Sequence, residues 1–274
     1  MREEGADWIG DFETMNILDK IVADKRSEID LKKSLVPVSQ LERSVLFERP
    51  TVSLATKLRK SETGIIAEHK RRSPSKSVIN QDLNVQDVAQ GYENAGVCGM
   101  SVLTDGKYFG GSLDDLLLAR AAVKIPILRK EFIINEYQIL EAKAHGADVI
   151  LLIAAILDKE EIKRFSELAK SLNLDVLLEV HTQEELHKSI MPSIDMLGVN
   201  NRNLKTFEVS LETSKTLSKL IPDDFVKVSE SGISTIEAIK DLKPYGYHGF
   251  LMGENFMRTE SPGIAAKKFI DSLS

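Results

Sequence analysis

Eight short apolar segments, each followed by a stretch of helical periodicity, dominate this sequence. They lie at 64–68, 100–104, 126–130, 149–154, 175–180, 196–200, 226–230 and 249–252. Most are unbroken apolar runs, the pattern of parallel strands buried on both faces. The helical patterns between and after them span 84–95, 113–122, 135–145, 159–172, 183–190, 211–220, 236–242 and 264–273. Several open on a capping residue. Ser112 precedes Leu-Asp-Asp, Asp158 precedes Lys-Glu-Glu and Thr182 precedes Gln-Glu-Glu, which sets side-chain oxygens and carboxylates where a helix start has free N–H groups. Strict β–α alternation requires a parallel sheet. Eight such units can form an open doubly wound sheet or a closed barrel. No G-x-G-x-x-G follows the first strand, and polar residues stand at the C-terminal end of most strands, where a barrel carries its active site. The expected fold is α/β, a (β/α)8 TIM barrel with an extra N-terminal helical segment.

The 274 residues fit one barrel domain over about 61–274, preceded by a helical extension over about 1–60. Within that extension, 16–32 has helical periodicity with Ile17, Ile21, Ile29 and Leu31 apolar, which predicts a helix packed against the barrel. Residues 1–12 are expected to be frayed. The single cysteine, Cys98, has small apolar neighbours and reads as a packed, inert thiol. One cysteine permits no intrachain disulfide and fits a reducing compartment. The first residues contain no apolar h-region, and the longest apolar run, 149–157, is far short of a bilayer. Net charge is −6 with the basic residues scattered, so there is no nucleic-acid footprint, and a phosphorylated ligand would need local positive charge. The expectation is a cytoplasmic monomer with a small phosphorylated substrate and neither nucleic-acid nor membrane partners.

The strand ends carry the chemistry. The first ends Glu68-His69-Lys70-Arg71. Period-two alternation sends Glu68 and Lys70 to one face and His69 and Arg71 to the other. If the first pair faces the barrel interior, it is either a buried ion pair or a substrate-facing pair, and this strand alone leaves both open. The third strand ends in Lys130, the fifth in Glu179 before Val180-His181, the sixth in Asn200-Asn201-Arg202 and the seventh in Glu230-Ser231-Gly232. So many charged groups on one rim are hard to explain as packing. The loops after strands seven and eight, Ser231-Gly232-Ile233-Ser234 and Met252-Gly253-Glu254-Asn255, have the glycines and the position of a barrel phosphate site. Glu254 is awkward beside a phosphate, so only its backbone is expected to face one. Lys130 is expected to titrate below the usual lysine value of about 10.4, because burial and a second lysine both disfavour its charge.

These segments resemble the indole-3-glycerol-phosphate synthase family. The similarity lies in Ile-Ala-Glu-His-Lys-Arg-Arg-Ser-Pro-Ser-Lys (66–76), Ser-Val-Leu-Thr-Asp with Lys-Tyr-Phe-Gly-Gly-Ser (101–112), Leu-Arg-Lys-Glu-Phe (128–132), Leu-Leu-Glu-Val-His (177–181), Gly-Val-Asn-Asn-Arg-Asn-Leu (198–204) and Ser-Glu-Ser-Gly-Ile (229–233). Ile-Leu-Asp-Lys-Ile-Val (17–22) is similar to the family's extra N-terminal helix. All six motifs occur in order from about residue 16 to the end. The resemblance implies a lyase of tryptophan biosynthesis that needs neither metal nor organic cofactor. It converts 1-(o-carboxyphenylamino)-1-deoxyribulose 5-phosphate to indole-3-glycerol phosphate, CO2 and water. By the same resemblance Lys130 is the general acid, Glu179 a second acid/base group, Lys70 an anion ligand and Glu68 its partner in proton handling. Ser73, Asn200, Arg202 and Glu230 belong to the polar wall, Phe109 and Phe132 to the apolar wall, and Ser231, Gly232, Gly253 and Glu254 to the phosphate contacts. Ser77 departs from a common glycine, and Asn201 and Asn203 lie in a loop that varies and is expected to stay clear of the chemistry. Two other classes are weighed. A phosphoribosylanthranilate isomerase would use a Cys/Asp pair, and a barrel that only binds phosphate ligands would not need Lys130 and Glu179 together.

Overall fold

The computed structural model describes residues 16–273 apart from Ser75 and Lys205; the stretch 1–12 lies outside the described residues. Eight strands pair in parallel in chain order and the last closes on the first. They are β1 (Ile65–His69), β2 (Gly99–Leu103), β3 (Ile127–Lys130), β4 (Val149–Ile153), β5 (Asp175–Val180), β6 (Met196–Asn200), β7 (Val226–Glu230) and β8 (Tyr247–Met252). The closing register sets Ala67 beside Met252. This is the TIM barrel expected from the alternation, with each strand boundary within two residues of the hydropathy reading.

Three helices precede β1: α1 (Ile17–Leu35), α2 (Val38–Leu41) and α3 (Leu54–Lys60). After the strands come α4 (Val85–Ala95), the one-turn α5 (Gly106–Phe109), α6 (Leu113–Ala122), α7 (Glu136–Ala144), α8 (Lys159–Ser171), α9 (Gln183–Ser189), α10 (Glu212–Ser218), α11 (Ile236–Leu242), the one-turn α12 (Glu254–Met257) and α13 (Pro262–Asp271). Ser112, Asp158 and Thr182 cap α6, α8 and α9, each accepting from the backbone N–H three residues on. The sequence pattern did not signal α2, α3, α5 or α12. They are too short to establish a 3.6-residue period.

Two apolar shells follow from the period-two alternation of the strands. Ile65, Ala67, Ile150, Leu152, Val176 and Leu178 face outward and pack under the helices. Ile66, Leu128, Leu151, Leu177, Met196 and Val228 face inward and fill the barrel. Each such side chain contributes roughly 1.5–3 kcal/mol when fully buried. The extension seals this inner core at both ends. Leu54 and Leu58 of α3 join it beside Cys98 at the strand starts, and Ile21 of α1 joins it at the C-terminal mouth. The face of α1 differs from the sequence reading. Leu31 is 61% exposed, and the buried stripe is Ile21, Lys25 and Ile29, spaced four apart.

Candidate active site

On their inner faces, four strands each carry an apolar residue followed two positions later by a charged one. The pairs are Ile66 then Glu68 on β1, Leu128 then Lys130 on β3, Leu177 then Glu179 on β5, and Val228 then Glu230 on β7. Alternate strands of an eight-stranded barrel contribute side chains to the same interior layer, so the four charged groups converge. Lys130 Nζ is 2.7 Å from Glu230 Oε2, 3.7 Å from Glu179 Oε2 and 3.9 Å from Glu68 Oε2. The other oxygen of Glu68 pairs with Lys70 at 2.9 Å. Strand β6 contributes no side chain at this level. A Cβ on Gly198 would stand 2.4 Å from Glu230 Oε1, so the glycine leaves the space that the carboxylate fills. As the alternation required, His69 and Arg71 turn the other way, and Arg71 pairs with Asp115 of α6. Burial away from the mouth pushes His69 down to about 4.

The electrostatics of this layer overturn one expectation. Burial does push Lys130 down, but the carboxylates of Glu230, Glu68 and Glu179 outweigh it, and the ammonium is held above its ordinary range. The second lysine does not act on Lys130 as anticipated, because it is paired with Glu68. Glu230 carries the opposite stress. Burial pushes its carboxyl up, Lys130 draws it down, and Glu179 and Glu68 push it up again, to about 7. Glu68 stays below the usual carboxylate range: burial opposes its charge, but Lys70 and Lys130 win.

Above the layer lies a cavity of about 650 Å³. Glu68, Lys70, Ser73, Phe109, Lys130, Phe132, Glu179, Asn200, Arg202, Ser231, Gly232, Gly253 and Glu254 all line it. Glu230 does not. It lies beneath Lys130, 1% exposed, and touches the site through that ammonium. One half of the cavity is apolar. Phe109 and Phe132 stand there with ring centroids 5.9 Å apart, facing Ile17, Leu18 and Ile21 of α1. These three α1 residues had been read only as a packing face. A period identifies the apolar side of a helix but not the surface that it covers.

The opposite half is backbone-rich. Ser231 (φ 67°) and Gly232 (φ 77°) take successive left-handed conformations. For a serine this costs roughly 1–3 kcal/mol and persists only where the surroundings impose it. Asn201 does so. Buried at 2% exposure, its amide donates to Ser229 Oγ and to the carbonyls of Glu230 and Ser231, at 3.0, 3.0 and 3.1 Å. Asn201 was expected to be a variable loop residue clear of the chemistry; it instead fixes the backbone on which Glu230 and Ser231 stand. Across the cavity, the Glu254 carboxylate is taken by Lys76 and Arg258, which leaves the backbone of Gly253 and Glu254 to face the space.

A second group, also missed, fastens the roof. Lys25 of α1 is 2% exposed, and its Nζ lies 2.7 Å from Glu28, 2.9 Å from Asp105 and 3.1 Å from Glu131. Asp105 caps the short α5 that ends in Phe109, and Glu131 lies between Lys130 and Phe132. One buried ammonium thus ties α1 to both loops that carry the aromatic wall. A lone lysine within a helical pattern gives no sign of this.

Comparison with known proteins agrees with this geometry. The family model for indole-3-glycerol phosphate synthase matches residues 18–269. The indole-3-glycerol phosphate synthase of Bacteroides thetaiotaomicron is 46% identical over 258 residues, covering 94% of this chain and 99% of the relative. That of Albidiferax ferrireducens is 43% identical over 254 residues, covering 91% and 96%. Among solved structures, 3-hexulose-6-phosphate synthase from Salmonella typhimurium superposes with a TM-score of 0.61 at 13% identity, over 77% of this chain and 98% of the other. Tryptophan synthase subunit alpha from Legionella pneumophila gives 0.57 at 15%, over 80% and 96%. Those two likenesses concern the barrel fold alone. The chain belongs to the indole-3-glycerol phosphate synthase family.

Proposed function

We propose that the mouth of this barrel closes the indole ring of 1-(o-carboxyphenylamino)-1-deoxyribulose 5-phosphate, with loss of CO2 and water, in tryptophan biosynthesis. The observation that carries this reading is the Lys130 ammonium, held between three carboxylates at the floor of a cavity with one aromatic and one backbone-rich half. The substrate has the matching parts: an aryl ring, a ketone and a phosphate. The aryl ring lies against Phe109 and Phe132. The phosphate takes the backbone N–H groups of Ser231, Gly232 and Gly253, and Lys70 and Arg202 hold the substrate's anionic groups beside Ser73 and Asn200.

A ketone is a poor electrophile until its oxygen gains a proton. Lys130 supplies that proton as the ring carbon bearing the carboxylate attacks the carbonyl carbon. The carbon–carbon bond forms, and the bond to the carboxylate then breaks. Its electron pair returns to the ring, restoring aromaticity as CO2 departs. The new hydroxyl leaves as water, with Glu179 handling the proton that the dehydration moves and Glu68 steadying Lys70. Glu230 supports Lys130 from below. A merely phosphate-binding barrel gives no reason to bury a lysine among three glutamates. An isomerase using Cys98 is disfavoured as well. That thiol is 6% exposed at the opposite end of the barrel, and burial raises its pKa.

No described helix is long and apolar enough to cross a membrane. We further propose a single domain acting as a monomer in the cytoplasm, since one chain supplies every group named above; sedimentation of the purified protein tests the monomer. The assay for function is direct. The carboxyphenylamino-deoxyribulose phosphate is supplied and indole fluorescence followed. Wild-type protein should turn over, and Lys130→Ala should lose about 10²–10⁴-fold in kcat while keeping its fold. A variant retaining more than half the activity sinks the role of Lys130.

A further inference from the structure

Ring closure with decarboxylation takes in a carboxylate anion and releases neutral CO2, water and an indole. It therefore consumes one proton from solvent in every turnover. The ammonium proposed to deliver that proton is buried over three carboxylates, so a path must exist by which it is refilled.

Such a path runs along the end of β5. Glu179 and His181 are two residues apart and share the inner face. Glu179 turns its two oxygens to different partners: Oε2 lies 3.7 Å from Lys130 Nζ, and Oε1 lies 3.5 Å from His181 Nε2. The other ring nitrogen, Nδ1, lies 3.4 Å from Glu185 Oε2 at the start of α9. Glu185 is fixed there by the His181 backbone N–H, which donates to the same oxygen at 2.6 Å. Both ring nitrogens are buried and sit in ion-pair contact rather than in aligned hydrogen bonds. The imidazole is thus close to both carboxylates and committed to neither. Glu185 and His181 line a second cleft of about 550 Å³ beside the main cavity.

We infer that His181, together with Glu185, returns to Lys130 by way of Glu179 the proton that each turnover consumes. The inference rests on the roles proposed above for Lys130 and Glu179. The bookkeeping is simple. Glu185 takes a proton from water and passes it to His181 Nδ1. His181 releases one from Nε2 to Glu179 Oε1, and Glu179 hands one from Oε2 to the neutral Lys130 amine. No oxidant or further reactant is needed. The groups facing His181 are Glu179 on its own strand, Glu185 on α9 and Glu230 on β7, while Arg202 and Glu208 line the same cleft. Burial lowers the imidazole's affinity for a proton, but the three carboxylates outweigh it, so His181 stays charged to higher pH than an ordinary histidine. That is the direction a donor needs. His181 acts through Glu179, which makes it a positioning residue whose effect must be separated from packing.

The test uses His181→Ala and His181→Gln in the full-length enzyme, with steady-state kinetics from about pH 6 to about pH 9 and a melting curve for each variant. The relay predicts that kcat falls about tenfold or more while KM stays within about twofold. The loss of kcat that accompanies His181 deprotonation at the upper end of the range should vanish from the profile. Added imidazole should restore kcat to His181→Ala in a saturable way. Wild-type kcat with an unchanged profile in both variants would overturn the relay. So would a lowered kcat that imidazole does not restore and that follows a lowered melting temperature in both. Combining His181→Gln with Glu179→Gln separates this inference from its foundation. No further loss beyond Glu179→Gln supports the relay, and an additive loss refutes it. Wild-type turnover by Glu179→Gln alone would instead remove the role of Glu179.

Discussion

Lys130 and Glu230 stand on strands half a barrel apart, β3 and β7, yet their charged atoms lie 2.7 Å from each other. The contact spans the barrel axis and makes the ammonium a fixture of the interior rather than of one loop. It also removes Glu230 from the cavity wall. A residue that sequence reading would count among the substrate contacts acts on the lysine instead.

Glu230→Gln tests that distinction. The amide keeps the volume and removes the charge. Because Glu230 supports Lys130 without lining the cavity, kcat should fall about 10–100-fold, as for other supporting partners, with KM nearly unchanged. A raised KM with normal kcat would put Glu230 against the substrate. Stability gives a second readout. Burial raises this carboxyl to about 7, so the folded state binds its proton more tightly than the unfolded chain does. Its contribution is therefore full below the ordinary glutamate pKa and is lost as pH rises through about 7. Glutamine has no such loss. The melting temperature of the variant relative to wild type should rise between about pH 5 and about pH 8.

Lys25→Met should be a stability variant first. It removes the one cation shared by Asp105 and Glu131. Breaking a buried pair on one side costs about 3–5 kcal/mol, which for a chain of this size is a fall in melting temperature of roughly 6–20 °C. The loosened roof should also raise KM, since α1 and the two aromatic loops are no longer tied. A variant that melts within a degree or two of wild type would mean that Asp105 and Glu131 need no buried counter-charge.

Gly232→Ala addresses the backbone half of the cavity. At φ 77° an L side chain is strained, and its Cβ would meet Val209 Cγ1 at 2.4 Å. The turn must shift, and the N–H groups of Ser231 and Gly232 shift with it. Substrate KM should rise about tenfold, corresponding to about 1.4 kcal/mol. Inorganic phosphate, expected to compete with substrate in the wild type, should lose potency in parallel. Unchanged inhibition by phosphate would move the anion site elsewhere on the barrel.

Much of the architecture was legible because barrel strands leave a strong local signal. An unbroken apolar run ending in a charged residue identifies both a strand and its catalytic end, and Glu68, Lys130 and Glu179 were found that way. The period of two also told that Glu68 and Lys70 would share a face and that His69 would turn outward. The one-turn helices left no such trace. Nor did the roof: the apolar stripe of α1 was visible, but not that it covers the mouth or that Lys25 lies within it.

What the sequence determined by itself is therefore everything set by neighbours in the chain: the alternation, the strand ends, the caps at Ser112, Asp158 and Thr182, and the glycine-bearing turns at Gly232 and Gly253. Tertiary structure decided what each charge meets. Barrel closure brings residues from alternate strands into one layer, so Lys130 finds three carboxylates instead of a second lysine, and its proton is held rather than loosened. That reversal has a plain physical cause. An ionisable group responds to the charges within a few ångströms of it, and in a closed barrel those charges come from residues that lie some fifty to a hundred positions away along the chain.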